Sequence, residues 1–223
     1  MTPGNKISIY DFVKAISEAV GPGSQALNSH HEKVTYISWR IAREMNLPED
    51  EIQDVVLAAM LHDICDFPFE DQLIKAVAFD ADDPAFGDHA LQGYNILKGF
   101  EPLTKAAILV RRHHSDYDPS RWDIPLGSYI IYLADTVAVL LNSHQEILAQ
   151  AKEIFARVNR RKHVFHPGAL AAFNSLADQV LFWIEAGSPP LDTFVLKQLE
   201  FPMEILNMET FHKTAVLEYT IVV

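Results

Sequence analysis

Cysteine is nearly absent. A single one, Cys65, stands in 223 residues, so no intramolecular disulfide can form and a reducing, cytoplasmic setting is expected. Basic residues are also few: 18 Lys and Arg against 30 Asp and Glu leave a formal net charge of -12. So acidic a chain disfavours non-specific contact with nucleic-acid polymers or anionic membranes. No apolar run approaches the roughly 20 residues needed to span a bilayer. The opening Met-Thr-Pro-Gly-Asn-Lys lacks the apolar core of a signal peptide. No internal repeat is visible.

What the chain does have is ordinary globular hydrophobicity, 49%, and helical periodicity along most of its length. Ile7 to Val20 reads as an amphipathic helix stopped by Gly21-Pro-Gly23, and a second long helix runs from about Ser24 to Asn46. Leu47-Pro-Glu-Asp-Glu51 has the Pro and acidic residues of a helix start. The helix it opens ends at His62-Asp63. Shorter helices follow near Asp88 to Lys98, opened by His89, and Pro102 to Arg112, closed by His113-His114. His144 to Asn159 and Pro167 to Ala186 read as two more, and Gly187-Ser-Pro-Pro190 breaks the pattern. Phe194 to Leu206 reads as short helical structure, and Ala215 to Val223 as a terminal strand or a dimer contact.

Within these helices, metal-ligand residue types recur in order: His31, His62-Asp63, His89, His113-His114 and Asp135. Asp135 lies in Ser128-Tyr-Ile-Ile-Tyr-Leu-Ala-Asp-Thr-Val-Ala-Val-Leu-Leu141, otherwise a buried helix. An ionised carboxylate there costs several kcal/mol unless a cation or several donors compensate it. His62-Asp63 closes the apolar stretch Ile52 to Leu61 and raises the same requirement. A metal-free Asp-His hydrogen bond explains any one of these residues, but it explains the ordered set poorly. Imidazoles and carboxylates together suit divalent transition metals. On helical facing, Val34 and Ile37 turn to the core with His31, and His30 is expected at the surface.

These residues resemble the HD superfamily of metal-dependent phosphohydrolases, and within it the HD-GYP branch. The matching blocks are His31-Glu-Lys-Val34, His62-Asp-Ile64, His89-Ala-Leu-Gln-Gly93 with Ile96-Leu97, His113-His114, and Ile124-Pro-Leu-Gly127 leading to Ala134-Asp135. They run from about Asn28 to Asn142, with a weaker echo in Phe165 to Phe173. The resemblance implies an all-α, single-domain helical bundle around a dimetal site; the short C-terminal strand is read from the alternation of Ala215 to Val223. Residues 1-23 would be an N-terminal helix, 24-187 the HD-type domain and 188-223 an appendage packed on it.

The same resemblance implies that Asp63 bridges two divalent ions, Fe or Mn first and Zn or Ni as alternatives. His31, His62 and Asp135 would complete one metal, and His89, His113 and His114 the other. Asp63 and His62 would carry the catalytic role, with a hydroxide bridging the metals as nucleophile. The chain departs from the branch in three places. Ser115 to Ile124 replaces the Glu and the Gly-Tyr-Pro loop that follow the paired histidines, Cys65-Asp66 replaces Gly-Lys, and Tyr129 replaces an Arg.

The expected partner is therefore a small phosphorylated substrate, with cyclic di-GMP a poor one, and a homodimer is compatible with the sequence. Two other readings stand behind this one: a di-iron oxygenase of the same superfamily, and a signalling module that has kept the fold without the chemistry. Among remaining residues, Cys65 reads as a small buried hydrophobe. Arg111-Arg112 reads equally well as a phosphate-binding pair or as an exposed helix end, while Asp116-Tyr-Asp118 and the cluster Arg157, Arg160-Arg-Lys162 read as a solvated turn and a solvated helix end.

Overall fold

The computed structural model describes residues 6–20, 25–65, 85–191, 195 and 198–205. Among them are nine α-helices: α1 (Ile9–Val20), α2 (Gln25–Glu44), α3 (Glu49–Leu61), α4 (Ala85–Leu97), α5 (Thr104–Arg111), α6 (Leu126–Leu140), α7 (Ile147–Arg160), α8 (Pro167–Ala177) and α9 (Val180–Gly187). A 3-10 turn, Glu101–Leu103, leads into α5. Two three-residue strands, β1 (Lys6–Ser8) and β2 (Met203–Ile205), pair antiparallel with Lys6 opposite Ile205. The fold is all-α apart from this ribbon, as the sequence predicts.

The middle of the bundle is α2, which packs on α1, α3, α6, α8 and α9. Val34, Tyr36, Ile37, Trp39, Ile41 and Ala42 are all buried on it, so it presents core-facing residues nearly all round. The turn after it passes through Asn46, whose φ of 56° is a left-handed conformation that Asn tolerates. The Leu47 N–H then donates back to the Ala42 carbonyl at 3.2 Å. Across this turn α3 begins with Pro48 at its N-cap and Glu49, Asp50 and Glu51 at the positive end of the helix dipole. Ile52 and the unbroken run Val55 to Leu61 are buried, which drives the end of α3 and the following His62-Asp63 into the interior.

Several predicted boundaries shift. Ile7 and Ser8 belong to β1 rather than to α1, because their backbone pairs with Glu204 and Met203. For the same reason Met203–Ile205 is strand, where short helical structure was expected. His89 lies in the second turn of α4 instead of opening it. The helix expected from His144 starts at Ile147, where the Glu146 carboxylate accepts from the Leu148 and Ala149 N–H groups.

The helix predicted from Pro167 to Ala186 is two helices. Gln179 is extended, and the Trp183 indole donates at 2.8 Å to the Ala177 carbonyl that the break leaves without a helical partner. The break turns Phe182, Trp183 and Ala186 onto the core. The predicted stop at Gly21-Pro-Gly23, residue Phe194 and the expected strand Ala215 to Val223 lie outside the described residues.

Candidate metal centre

Five segments converge on one interior point: α2, the turn after α3, α4, the turn after α5, and α6. Asp63 stands at the middle with its two oxygens facing different groups. Its Oδ1 lies 3.4 Å from His89 Nε2 and 3.6 Å from His113 Nε2. Its Oδ2 lies 3.1 Å from His62 Nε2 and 4.0 Å from His30 Nε2. A carboxylate so placed can span two cations, as expected for this residue.

Around Oδ1, His89 Nε2 is 3.4 Å from His113 Nε2 and 2.9 Å from His114 Nε2. A transition metal holds N and O ligands at about 2.0–2.2 Å, which spaces neighbouring ligand atoms roughly 3 Å apart. Asp63, His89, His113 and His114 have that spacing and form one candidate metal group. Around Oδ2, the Asp135 Oδ1 atom lies 3.2 Å from His30 Nε2 and 3.9 Å from His62 Nε2. His30, His62 and Asp135 form a second group, and His31, His62 and Asp63 a third that overlaps it.

His30 is the residue that the sequence reading misplaced. Expected at the surface, it is only 6% exposed and faces Asp135. Helical geometry carried the signal: His30, Val34, Ile37 and Ile41 follow the i, i+4, i+7, i+11 stripe, so the face that buries Val34 also buries His30. His31 is buried as well, at 3%, on the adjoining stripe with Thr35, Ser38 and Ala42. Its Nδ1 lies 3.1 Å from the Ser17 hydroxyl on α1. Its Nε2 is buried without a hydrogen bond, a costly state for a polar atom that a cation would relieve. The seven residues predicted as ligands are thus all gathered, and His30 joins them.

The outer contacts hold the imidazoles in a ligating tautomer. His62 Nδ1 lies 2.9 Å from the Ala59 carbonyl and His113 Nδ1 2.7 Å from the Val110 carbonyl. A carbonyl only accepts, so each Nδ1 carries the proton and, in the neutral ring, Nε2 presents its lone pair to the centre. A largely buried donor set of imidazoles and two carboxylates fits divalent transition metals.

Residues 28–140 match the HD domain family model. The chain belongs to the HD domain family. It is also similar to two proteins named as cyclic di-GMP phosphodiesterases. One is a response regulator of Xanthomonas campestris pv. campestris, 28% identical over 123 residues, which make up 50% of this chain and 32% of that protein. The other, from Thermotoga maritima, is 26% identical over 124 residues, 51% of this chain and 34% of that protein. The chain therefore spans about a third of the length of these relatives.

Electrostatics in this HD domain follow from burial and from the two carboxylates. Burial pushes the His31 imidazole down to about 3 and the His89 imidazole to about 4, and it holds His114 well below its ordinary value. These rings are neutral at pH 7, the form that ligates. Burial opposes ionisation of Asp63, but the His62 charge outweighs it and keeps that carboxyl well below the usual range. Asp135 falls to about 2, burial being overcome by the hydrogen bond and charge of His30. His62, desolvated yet beside Asp63, rises to about 9, so its ring is charged at pH 7 without a cation, and ligation there would release that proton.

The remaining candidates lie around this centre. Cys65 is half-buried. Arg111 stacks over Tyr94 at 5.0 Å, and Arg112 pairs with Asp123 at 3.5 Å. Asp118 caps a turn, accepting from the Ser120 N–H at 2.8 Å. Tyr129 packs between Tyr117 and His166 with ring centroids 5.5 and 5.7 Å away. None of the described helices is long and apolar enough to cross a membrane.

Proposed function

We propose that this HD domain is a metal-dependent phosphohydrolase whose two metals share Asp63. The observation that carries the reading is the division of Asp63, one oxygen toward His89 and His113 and the other toward His62 and His30. His30, His62, Asp63 and Asp135, with His31 beside them, would hold one ion, and Asp63, His89, His113 and His114 the other. Bound there, the ions would polarise a phosphoryl oxygen and lower the pKa of water. The protein's own part is to hold neutral imidazoles in fixed tautomers, keep both carboxylates ionised and exclude bulk water. Fe and Mn suit this mixture of nitrogen and oxygen donors, with Zn and Ni as alternatives.

The relatives' names support phosphodiester hydrolysis as the reaction class, and local differences argue against cyclic di-GMP as the substrate. The packed phenol of Tyr129 supplies no cation where the HD-GYP pattern has Arg, and half-buried Cys65 occupies the position next to a missing Lys. Cyclic di-GMP should be turned over slowly or not at all, and robust hydrolysis by Mn- or Fe-loaded protein would contradict this.

The decisive experiment is anaerobic. Mn-loaded protein should cleave bis(p-nitrophenyl) phosphate or a phosphomonoester without dioxygen, and labelled water should supply the new oxygen in the product. A requirement for dioxygen, with its label entering the product, would overturn the hydrolase in favour of a di-iron oxygenase. His113→Ala and His114→Ala should both lower the rate.

A further inference from the structure

Three histidines of the centre lean on a neighbour through Nδ1, and the neighbours differ in kind. Behind His62 and His113 stand the Ala59 and Val110 carbonyls, at 2.9 and 2.7 Å, each supplied by the helical turn just before the histidine. Behind His31 stands the Ser17 hydroxyl, at 3.1 Å and fourteen residues away in the chain. Ser17 belongs to α1, which ends before the residues 28–140 that match the HD domain family.

Tyr10, Val13 and Ser17 follow the i, i+3, i+7 stripe of α1, and all three are buried. α1 packs on α2 and α3, the helices that carry His31 and lead to His62-Asp63. A hydroxyl on such a face needs a hydrogen-bond partner, and the one it meets is His31. The opposite nitrogen of that ring, Nε2, is buried without a hydrogen bond and groups with His62 and Asp63 as a candidate ligand. An imidazole that ligates through Nε2 keeps its proton on Nδ1. The Ser17 oxygen stands where that proton must be accepted, the part that the backbone carbonyls play for His62 and His113.

Resting on the metal-centre reading above, we propose that Ser17 is a positioning residue of that centre: its hydroxyl accepts the Nδ1 proton of His31 and so holds Nε2 toward the ion shared with His62 and Asp63. The centre of this chain then extends beyond the matched HD segment, and the docking of α1 sets how tightly one of its two ions is held. The other group, Asp63, His89, His113 and His114, does not include His31. Loss of the Ser17 hydroxyl should therefore act on one ion and spare the second, which a general loosening of the bundle would not do.

The test titrates Mn into metal-free full-length protein by calorimetry and resolves the two binding steps. Ser17→Ala should weaken one step about tenfold or more, the usual cost of removing the partner behind a ligating histidine, and leave the other unchanged. Ser17→Thr keeps a hydroxyl and should recover most of the loss. Because Ser17 acts through the His31 ring, adding Ser17→Ala to His31→Ala should weaken Mn binding no further, and a double-mutant cycle reads that coupling. Two steps in Ser17→Ala that both stay within about twofold of the parent would overturn the assignment and leave the metal centre intact. An equal loss from Ser17→Ala with and without His31 would overturn it too, by making Ser17 a packing residue only. Failure of the parent protein to bind Mn would overturn both the assignment and the metal centre on which it rests.

Discussion

His30 and His31 are consecutive residues with different tasks, and the difference lies in what each ring nitrogen meets. His30 reaches Asp135 across the centre, whereas His31 leans on Ser17 and leaves only its Nε2 toward His62 and Asp63. His30→Ala should therefore reduce metal content to about one ion per chain, since Asp63, His89, His113 and His114 keep a complete set of four ligands. Elemental analysis after purification without chelator reads this directly, and full loading of His30→Ala would exclude it as a ligand.

Asp63→Ala removes the only carboxylate among the described residues that faces both groups, so most of both metals should be lost. If Asp63→Ala kept its full complement while His31→Ala lost it, the bridging assignment would be wrong. The Asp63 experiment follows already from the sequence motifs, whereas the His30 one does not, because two adjacent histidines on a helix differ by one position and both lie near the buried face.

At the scale of elements, the site depends on how closely α3, α5 and α6 approach one another. Gly127, in the first turn of α6, makes that approach possible: a Cβ there would lie 2.8 Å from Leu109 Cδ1 and 2.9 Å from Val55 Cγ2. Gly127→Ala should destabilise the fold by about 1–3 kcal/mol through overpacking, read as a lower midpoint in urea. An unchanged midpoint would mean that α5 and α6 separate without cost. A second joint ties α9 to α2, where Tyr36 donates to Glu185 and Arg40 Nη1 pairs with the same carboxylate at 3.1 Å.

The split of the last predicted helix into α8 and α9 belongs to the same scale. Residues 167–186 contain no internal breaker after Gly168, so periodicity reads through them. The break follows from packing, because a continuous helix could not place both Phe173 of α8 and Phe182 and Trp183 of α9 in the aromatic cluster they share.

For the molecule as a whole, the metal centre joins elements drawn from residues 30 to 135. Ions bound there stabilise only the folded chain, by about 2.7 kcal/mol at a free concentration one hundred times Kd. For a chain of this size chelation should lower the Tm by roughly 5–10 °C, and added Mn should restore it. A Tm indifferent to complete removal of metal would count against a centre that spans these helices.

The sequence by itself determined the helical class, since periodicity is a local property repeated along the chain. It also determined the chemistry of the centre, because ionisable residues within apolar stretches such as Ile52 to Leu61 and Ser128 to Leu141 require compensation wherever the helices go. Tertiary structure alone decided which oxygen of Asp63 faces which histidines, that His30 reaches Asp135 while His31 leans on Ser17, and that Lys6–Ser8 pairs with Met203–Ile205. The physical reason is that each depends on contacts between segments distant in the chain. A helix such as α2, buried on nearly every side, has no polar face from which its orientation can be read, and strand pairing between distant segments leaves no local periodic signal in three residues.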